Sequence, residues 1–371
     1  MSGRFKILIP CIVLFLFVGT TKANRQLLQD PTTLNLIKTD IGYIYNLQFN
    51  EAQIIYSKIE KIYPDHPVLY LLSGLMTYWK NYPLLVLNPA HTSFEEDLRQ
   101  CIRLSERNDN DSYEAEYLLS DLCARGMLLK FYGDNNLTME VIPMVIGSYK
   151  YLKQSFNFTN VCPDLYYFTG VYNYYREAYP KAYPVYKPIS RLFRSGNMET
   201  GLKQLQNAAI NATVLGAESS FILTWIYLNF ENNYQMALRY CTSLHEMYPN
   251  NVEYLATYLK ILLLTKQYDE AERQISTSQK VSENKYFQAQ LLIFKGILEE
   301  KKYHNNNLAQ QYYISGISKI SLFGEYGNEY EAYAYFGLSR ISDSKSEKTN
   351  GKIYRKKAMK LGDFKKHNFD K

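Results

Sequence analysis

A small residue returns along this chain with fixed companions, and that punctuation limits the fold more than any other feature. Ala52 is followed by Tyr56, Ile59 and Pro64, and Ala237 by Cys241, Leu244 and Pro249; Ala271 then takes up the position of Ala237 in the next unit. Gly74, Gly170, Gly296 and Gly337 each come four positions after a large residue, namely Tyr70, Tyr166, Leu292 and Tyr333. Spacings of three and four place such residues on one face of a helix. The small residue lets two antiparallel helices approach, and the large one a turn away fills the groove beside it.

Followed in order, the pattern predicts helices near 34–47 with 51–63, 67–81 with 94–107, 112–131 with 139–156, and 163–178 with 198–212. The later pairs are 217–230 with 234–247, 251–265 with 268–281, 285–300 with 306–319, and 328–341 with 347–360. Each hairpin carries an apolar face that it cannot bury alone, so stacking on its neighbours must fold it. No Gly/Ser/Pro linker divides the chain. The expected fold is all-α: one helical-hairpin superhelix, an α-α solenoid of about eight helix pairs.

Two places break the period and mark 82–197 as an irregular, insert-bearing segment. Between Tyr82 and Thr92, Pro83, Leu84-Leu85-Val86-Leu87 and Pro89 form an apolar connection expected to fold back on the stack. The stretch between Gly170 and Gly201 is longer than a standard repeat needs, and its surplus includes Tyr179, Pro180, Tyr183, Pro184, Tyr186 and Pro188. An ordered long loop in such an array is usually functional.

The segment 1–23 reads as a cleaved secretory signal: Arg4 and Lys6, an apolar run from Ile7 to Val18, then Thr21-Lys22-Ala23. Twelve apolar residues interrupted by Pro10 fall short of the roughly 20 that cross a bilayer. Cys11 sits inside the run, where it does not fit a lipid-anchor site. A periplasmic or secreted location is therefore expected for residues 24–371, with no transmembrane segment and at most a peripheral envelope association. The formal charge of +6 falls to +3 without the signal, and the tail 345–371 holds ten Lys or Arg against three acids, leaving the body near −4. The tail's cations are not interleaved with aromatics, so a solvated helix is expected there and no nucleic-acid partner. Cys101, Cys123, Cys162 and Cys241 form no CxxC pair or zinc pattern; buried free thiols are the first reading and one bridge the second.

Motifs that would carry chemistry are sparse. The five histidines, His66, His91, His245, His304 and His367, stand far apart, four of them at expected turns or ends, so no metal site is read from them. No phosphate-cradling glycine loop, GxSxG elbow or redox pair occurs, and no cofactor or catalytic residue is expected. Asn108-Asp109-Asn110-Asp111-Ser112 lacks the turn glycine and closing acid of a calcium loop and reads as a helix connection with Asp111 or Ser112 as cap. Asn136, Asn157 and Asn211 head glycosylation sequons in form only. The positive signal is aromatic: 36 tyrosines, many in the first half and its long loop. Most should fill stacking interfaces, where a tyrosine combines apolar area with a hydroxyl that reaches water.

These residues resemble the tetratricopeptide repeat over most of the chain. Trp225 and Leu259 depart from it, standing where the family prefers a small residue. A narrower resemblance covers Asp164 to Asn251, through Tyr166-Tyr167-Phe168-Thr169-Gly170-Val171-Tyr172-Asn173-Tyr174 and Ser195-Gly196-Asn197-Met198-Glu199-Thr200-Gly201. It is similar to exported bacterial tetratricopeptide proteins of unassigned function and, distantly, to tetratricopeptide repeat 39 and Iml2-like proteins. The resemblance implies that the first helix of each hairpin faces a concave groove. Carried over, the groove-facing residues are Tyr78, Tyr174, Asn229 and Lys260, with Tyr167 one turn below Val171.

The expectation that follows is a non-enzymatic scaffold of the bacterial envelope, holding a peptide or partner protein in that groove. The alternative is an exported glycan- or small-ligand-binding protein that uses the tyrosine-rich loop. An enzyme concealed in the irregular segment is a third reading, for which no residue pair proposes itself.

Overall fold

The computed structural model describes residues 26–107, 114–278, 283–362 and 369–370. The signal reading for 1–23 and the Asn108–Ser112 connection lie outside the described residues. Among those described there is no strand. Helices α1 (Pro31–Tyr45) and α2 (Phe49–Ile62), α3 (Pro67–Lys80) and α4 (Ala90–Glu106), α5 (Glu114–Asp134) and α6 (Thr138–Ser155) form the first three hairpins. In the fourth, α7 (Leu165–Ala182) pairs with α9 (Met198–Asn211), with the short α8 (Lys187–Ser190) between them. Then follow α10 (Gly216–Asn229) with α11 (Tyr234–Met247), α12 (Val252–Leu264) with α13 (Tyr268–Ser278), α14 (Lys285–Lys301) with α15 (Asn306–Ile320), and α16 (Asn328–Ser344) with α17 (Lys348–Leu361). The eight expected pairs are present, and the chain is an all-α helical solenoid.

Local chemistry starts and turns these helices in a repeating way. Asp30, Asn197, Asn233, Asn251, Asn284 and Asn305 each accept hydrogen bonds from backbone N–H groups in the first turn of the helix that follows, the usual N-cap role of Asx residues. In six of the hairpins one residue with positive φ turns the chain between the paired helices: Leu47, Asn136, Asn232, Lys266, His304 and Ser346, with φ of 52–63°. The other two hairpins are the ones whose connections are long.

Those two connections are ordered against the stack. Leu84 is fully buried, and Asn135 at the end of the third hairpin's first helix holds the loop by donating to the Leu84 carbonyl and accepting from the Val86 N–H. In the fourth hairpin, Arg176 donates to the Phe193 carbonyl, and the Gly196 N–H donates to Glu177. The close approach of α7 to α9 needs bare backbone on both sides: a Cβ at Gly170 would stand 3.0 Å from the Gly201 carbonyl oxygen, and one at Gly201 would stand 2.6 Å from the Tyr174 nitrogen.

The superhelix completes a turn and meets itself. Asn251 donates through Nδ2 to the Tyr45 carbonyl at 2.9 Å across 206 residues of sequence, the Asn250 N–H donates to Asn46, and Asn284 donates to the Tyr82 carbonyl at 2.7 Å. An aromatic seam lies along this junction: Tyr45 packs on Trp79, Tyr248 and Tyr254, Trp79 stacks on Tyr82 at 5.3 Å, and Tyr82 meets Tyr286 and Tyr326. The inner helices thereby curve around a common space. The basic tail is partly folded as the second helix of the last hairpin; beyond it Phe369 packs on Tyr333, and Asp370 pairs with Arg340 at 3.0 Å.

Candidate functional site

The first helices of all eight hairpins face inward and line one chamber of about 630 Å³. That volume is in the range of sites that hold one small molecule. Its length follows α5, from Glu116 in the first turn to Lys130 and Asp134 at the end; fourteen residues of helix between Glu116 and Lys130 rise about 21 Å.

At the Glu116 end the chain's own Leu27 and Leu28 contribute to the wall, and the Leu28 N–H donates to Glu116 at 3.1 Å. His66, which caps α3 by accepting from the Val68 N–H through Nδ1, approaches the same carboxylate through Nε2 at 3.4 Å. His66 is thus buried, where its place at a turn predicts a solvated ring. The middle of the chamber is apolar, walled by Leu71, Leu72, Leu75, Leu119, Met127 and Phe221 among others.

The opposite end is polar and aromatic. Lys130 pairs with Asp134 at 2.8 Å while its side chain keeps 44 % exposure, turned to the chamber that it lines. Burial alone would lower the Lys130 ammonium, but Asp134, Glu253 and Tyr326 together outweigh it and the net shift is upward. Lys260 is buried, pairs with Glu329 at 3.1 Å, and stands 5.6 Å from the centre of the Trp225 ring. Glu253 has no ion-pair partner among the described residues, and burial pushes its carboxyl above the usual range. Tyr82, Tyr286, Tyr326 and Tyr330 surround this pole, and exposed Glu325 stands at its rim. The hydroxyls of Tyr78 and Tyr326 are neighbours, yet both are buried without a hydrogen bond of ordinary geometry. On the chamber's α10 wall burial pushes Glu218 up to about 8.

Of the five residues expected to face the groove, Tyr78, Tyr167 and Lys260 line the chamber; Tyr174 and Asn229 do not. Tyr174 is fully buried against Phe230 and Tyr175, and its hydroxyl donates to Glu231. It follows Gly170 by one turn and remains in the α7–α9 crossing, so Tyr175 is the residue that reaches the chamber. Asn229 is the last residue of α10, and its Nδ2 donates to the Trp225 carbonyl. Trp225, which breaks the family pattern, belongs to the wall; the small residue Thr224 beside it is the buried one. Sequence reasoning misses Lys130, Asp134 and Glu253, although Lys130 and Asp134 are polar residues one turn apart at the end of a largely buried helix.

Elsewhere, the tyrosine-rich loop lies on the outside, where Tyr179 packs with Tyr183 at 4.8 Å and Tyr186 at 5.1 Å and all three remain about 40 % exposed. The four cysteines are free and buried. Among the described residues no three metal-ligating side chains cluster, and no helix is long and apolar enough to cross a membrane. No family model matches this chain, and no curated protein matches it.

Proposed function

We propose that this chain is an exported, non-enzymatic binding protein of the tetratricopeptide-repeat type, whose superhelix closes around a chamber and holds one small, largely apolar molecule. The observation that carries the reading is the 630 Å³ chamber walled by inward faces of all eight hairpins. Its lysines are committed to ion pairs, which suits holding a ligand better than turning one over.

The test uses the neutral, environment-sensitive dye N-phenyl-1-naphthylamine. Its fluorescence should rise saturably with the purified protein at about one dye per chain. Met127→Trp, which places an indole in the chamber, should abolish the rise while far-ultraviolet circular dichroism is retained. Absence of saturable binding by the parent protein would refute the reading.

A second reading concerns the outer surface and a protein partner there. Met139, Ile142 and Ile146 on α6 are 55–80 % exposed, and the Tyr179, Tyr183 and Tyr186 cluster is also external. Envelope pull-downs with Ile146→Glu and Tyr186→Ala would lose a partner held by this face.

A further inference from the structure

The polar end of the chamber selects the charge of what it holds. Four carboxyl groups line it, Asp134, Glu253, Glu325 and Glu329, against two ammonium groups, Lys130 and Lys260. Each lysine already has its own carboxylate, Asp134 at 2.8 Å and Glu329 at 3.1 Å, so neither offers a free positive charge. An anionic headgroup would have to displace one of those partners. A neutral one would add no counter-charge for Glu253, which burial penalises in its ionised form and which only Lys130 and Lys260, each already paired with another carboxylate, offset. Farther along the wall stand Glu116 and Glu218, with His66 alone added on the basic side.

The rings about this end add a second attraction for positive charge. Tyr82, Tyr286, Tyr326, Tyr330 and Trp225 present aromatic surface to the same space, and a cation over such faces gains electrostatic energy that grows with desolvation. Lys260 beside Trp225 is an internal instance. The Tyr78 hydroxyl lies beside that of Tyr326 under this end, and neither makes a hydrogen bond of ordinary geometry.

Resting on the chamber reading above, we infer that the occupant is an amphipathic amine: an apolar body in the leucine-lined middle and an ammonium group against Glu253, Asp134 and the tyrosines. The carboxylates then serve as counter-ions, the ammonium N–H groups donate to Glu253, and the ligand's apolar part displaces water from Leu72, Leu75 and Met127.

The experiment displaces N-phenyl-1-naphthylamine from the full protein with dodecylammonium, dodecanol and dodecanoate, all below their aggregation concentrations. These share one apolar chain and differ in head charge. Dodecylammonium should compete at least about tenfold more strongly than dodecanol, corresponding to about 1.4 kcal/mol, with dodecanoate weakest. Glu253→Gln should remove most of the ammonium preference over the alcohol; Asp134→Asn gives the same readout should the first variant fail to fold. If the dye binds but dodecanol or dodecanoate competes as well as the amine, the charge assignment is wrong and the chamber reading stands. If the dye itself does not bind, the chamber reading falls and this inference with it.

Discussion

The ring of Tyr313 occupies the space that a side chain at Gly337 would need. A Cβ at Gly337 would lie 2.8 Å from the Tyr313 hydroxyl oxygen and nearer still to the ring, and one at Gly296 would lie 2.7 Å from the ring's other edge. Tyr313 on α15 is therefore set between α14 and α16, fully buried, and its hydroxyl donates to Glu300 at 2.7 Å, which Arg340 grips with two further hydrogen bonds. Gly337→Ala should destabilise the protein by about 2–4 kcal/mol, because the ring cannot retreat without breaking that network. Urea unfolding reads this directly. A loss no larger than that of an ordinary surface substitution would mean that the helices separate freely.

Lys266 offers the opposite sign. It is exposed, and its φ of 59° lies in the left-handed region that glycine adopts readily and a side chain disfavours by roughly 1–2 kcal/mol. Lys266→Gly should raise stability by about 0.5–1 kcal/mol, the relief of strain being partly offset by the freer unfolded chain. Thermal melting of the two proteins side by side measures it.

Asp40 predicts how stability depends on pH. Its residue is fully buried, neither carboxyl oxygen finds a hydrogen-bond partner, and burial pushes the group from 3.8 to about 7. Between those values the folded state keeps a proton that the unfolded state releases, so folding weakens as pH rises through the window and regains strength on acidification. Asp40→Asn should therefore stabilise by on the order of 3–4 kcal/mol at pH 8 and change little near pH 4. Denaturant midpoints for parent and variant across that range provide the check. Glu218 and Glu253, also shifted upward by burial, add slope of the same sign.

Asn251 joins two functions that can be separated. Its Oδ1 accepts from the Glu253 and Tyr254 N–H groups at 3.1 Å, and its Nδ2 donates to the Tyr45 carbonyl. Asn251→Asp retains the cap but sets a carboxylate oxygen against that carbonyl, whereas Asn251→Ala loses both roles. The aspartate variant should cost about 2–3 kcal/mol and lower affinity for N-phenyl-1-naphthylamine, because the chamber wall opens at the seam. Retention of affinity together with lost stability would show that the seam does not bound the ligand space.

Much of the architecture can be read from residue order. Helix pairing follows the local alternation of small and large residues at spacings of three and four, and the observed helix ends fall close to the expected ones. The caps Asn233, Asn251 and Asn305 and the turn positions between paired helices are equally local. The chamber is not local. Tyr45 meets Asn251 only because small rotations accumulate over six hairpins, and no single repeat records their sum. Glu253 has the appearance of an ordinary acid in the first turn of a helix, where such residues are common for reasons of helix polarity. Helix register leads to Tyr78, Tyr167 and Lys260 on the chamber wall, whereas Tyr174 stays inside the α7–α9 crossing, which extends one turn past Gly170.

The junction between Tyr45 and Asn251 alters how the chain must come to be folded. An open spiral can begin anywhere and lengthen one hairpin at a time, and it can lose an end hairpin while the rest survives. Here the first hairpin gains its last neighbours only after the sixth exists, so its edge stays bare for most of synthesis, and closing so long a loop carries an entropic cost that must be met before the seam contributes. The finished molecule should accordingly melt as a hoop, in one concerted step, with the first hairpin and the sixth protecting each other from proteases and from premature unwinding.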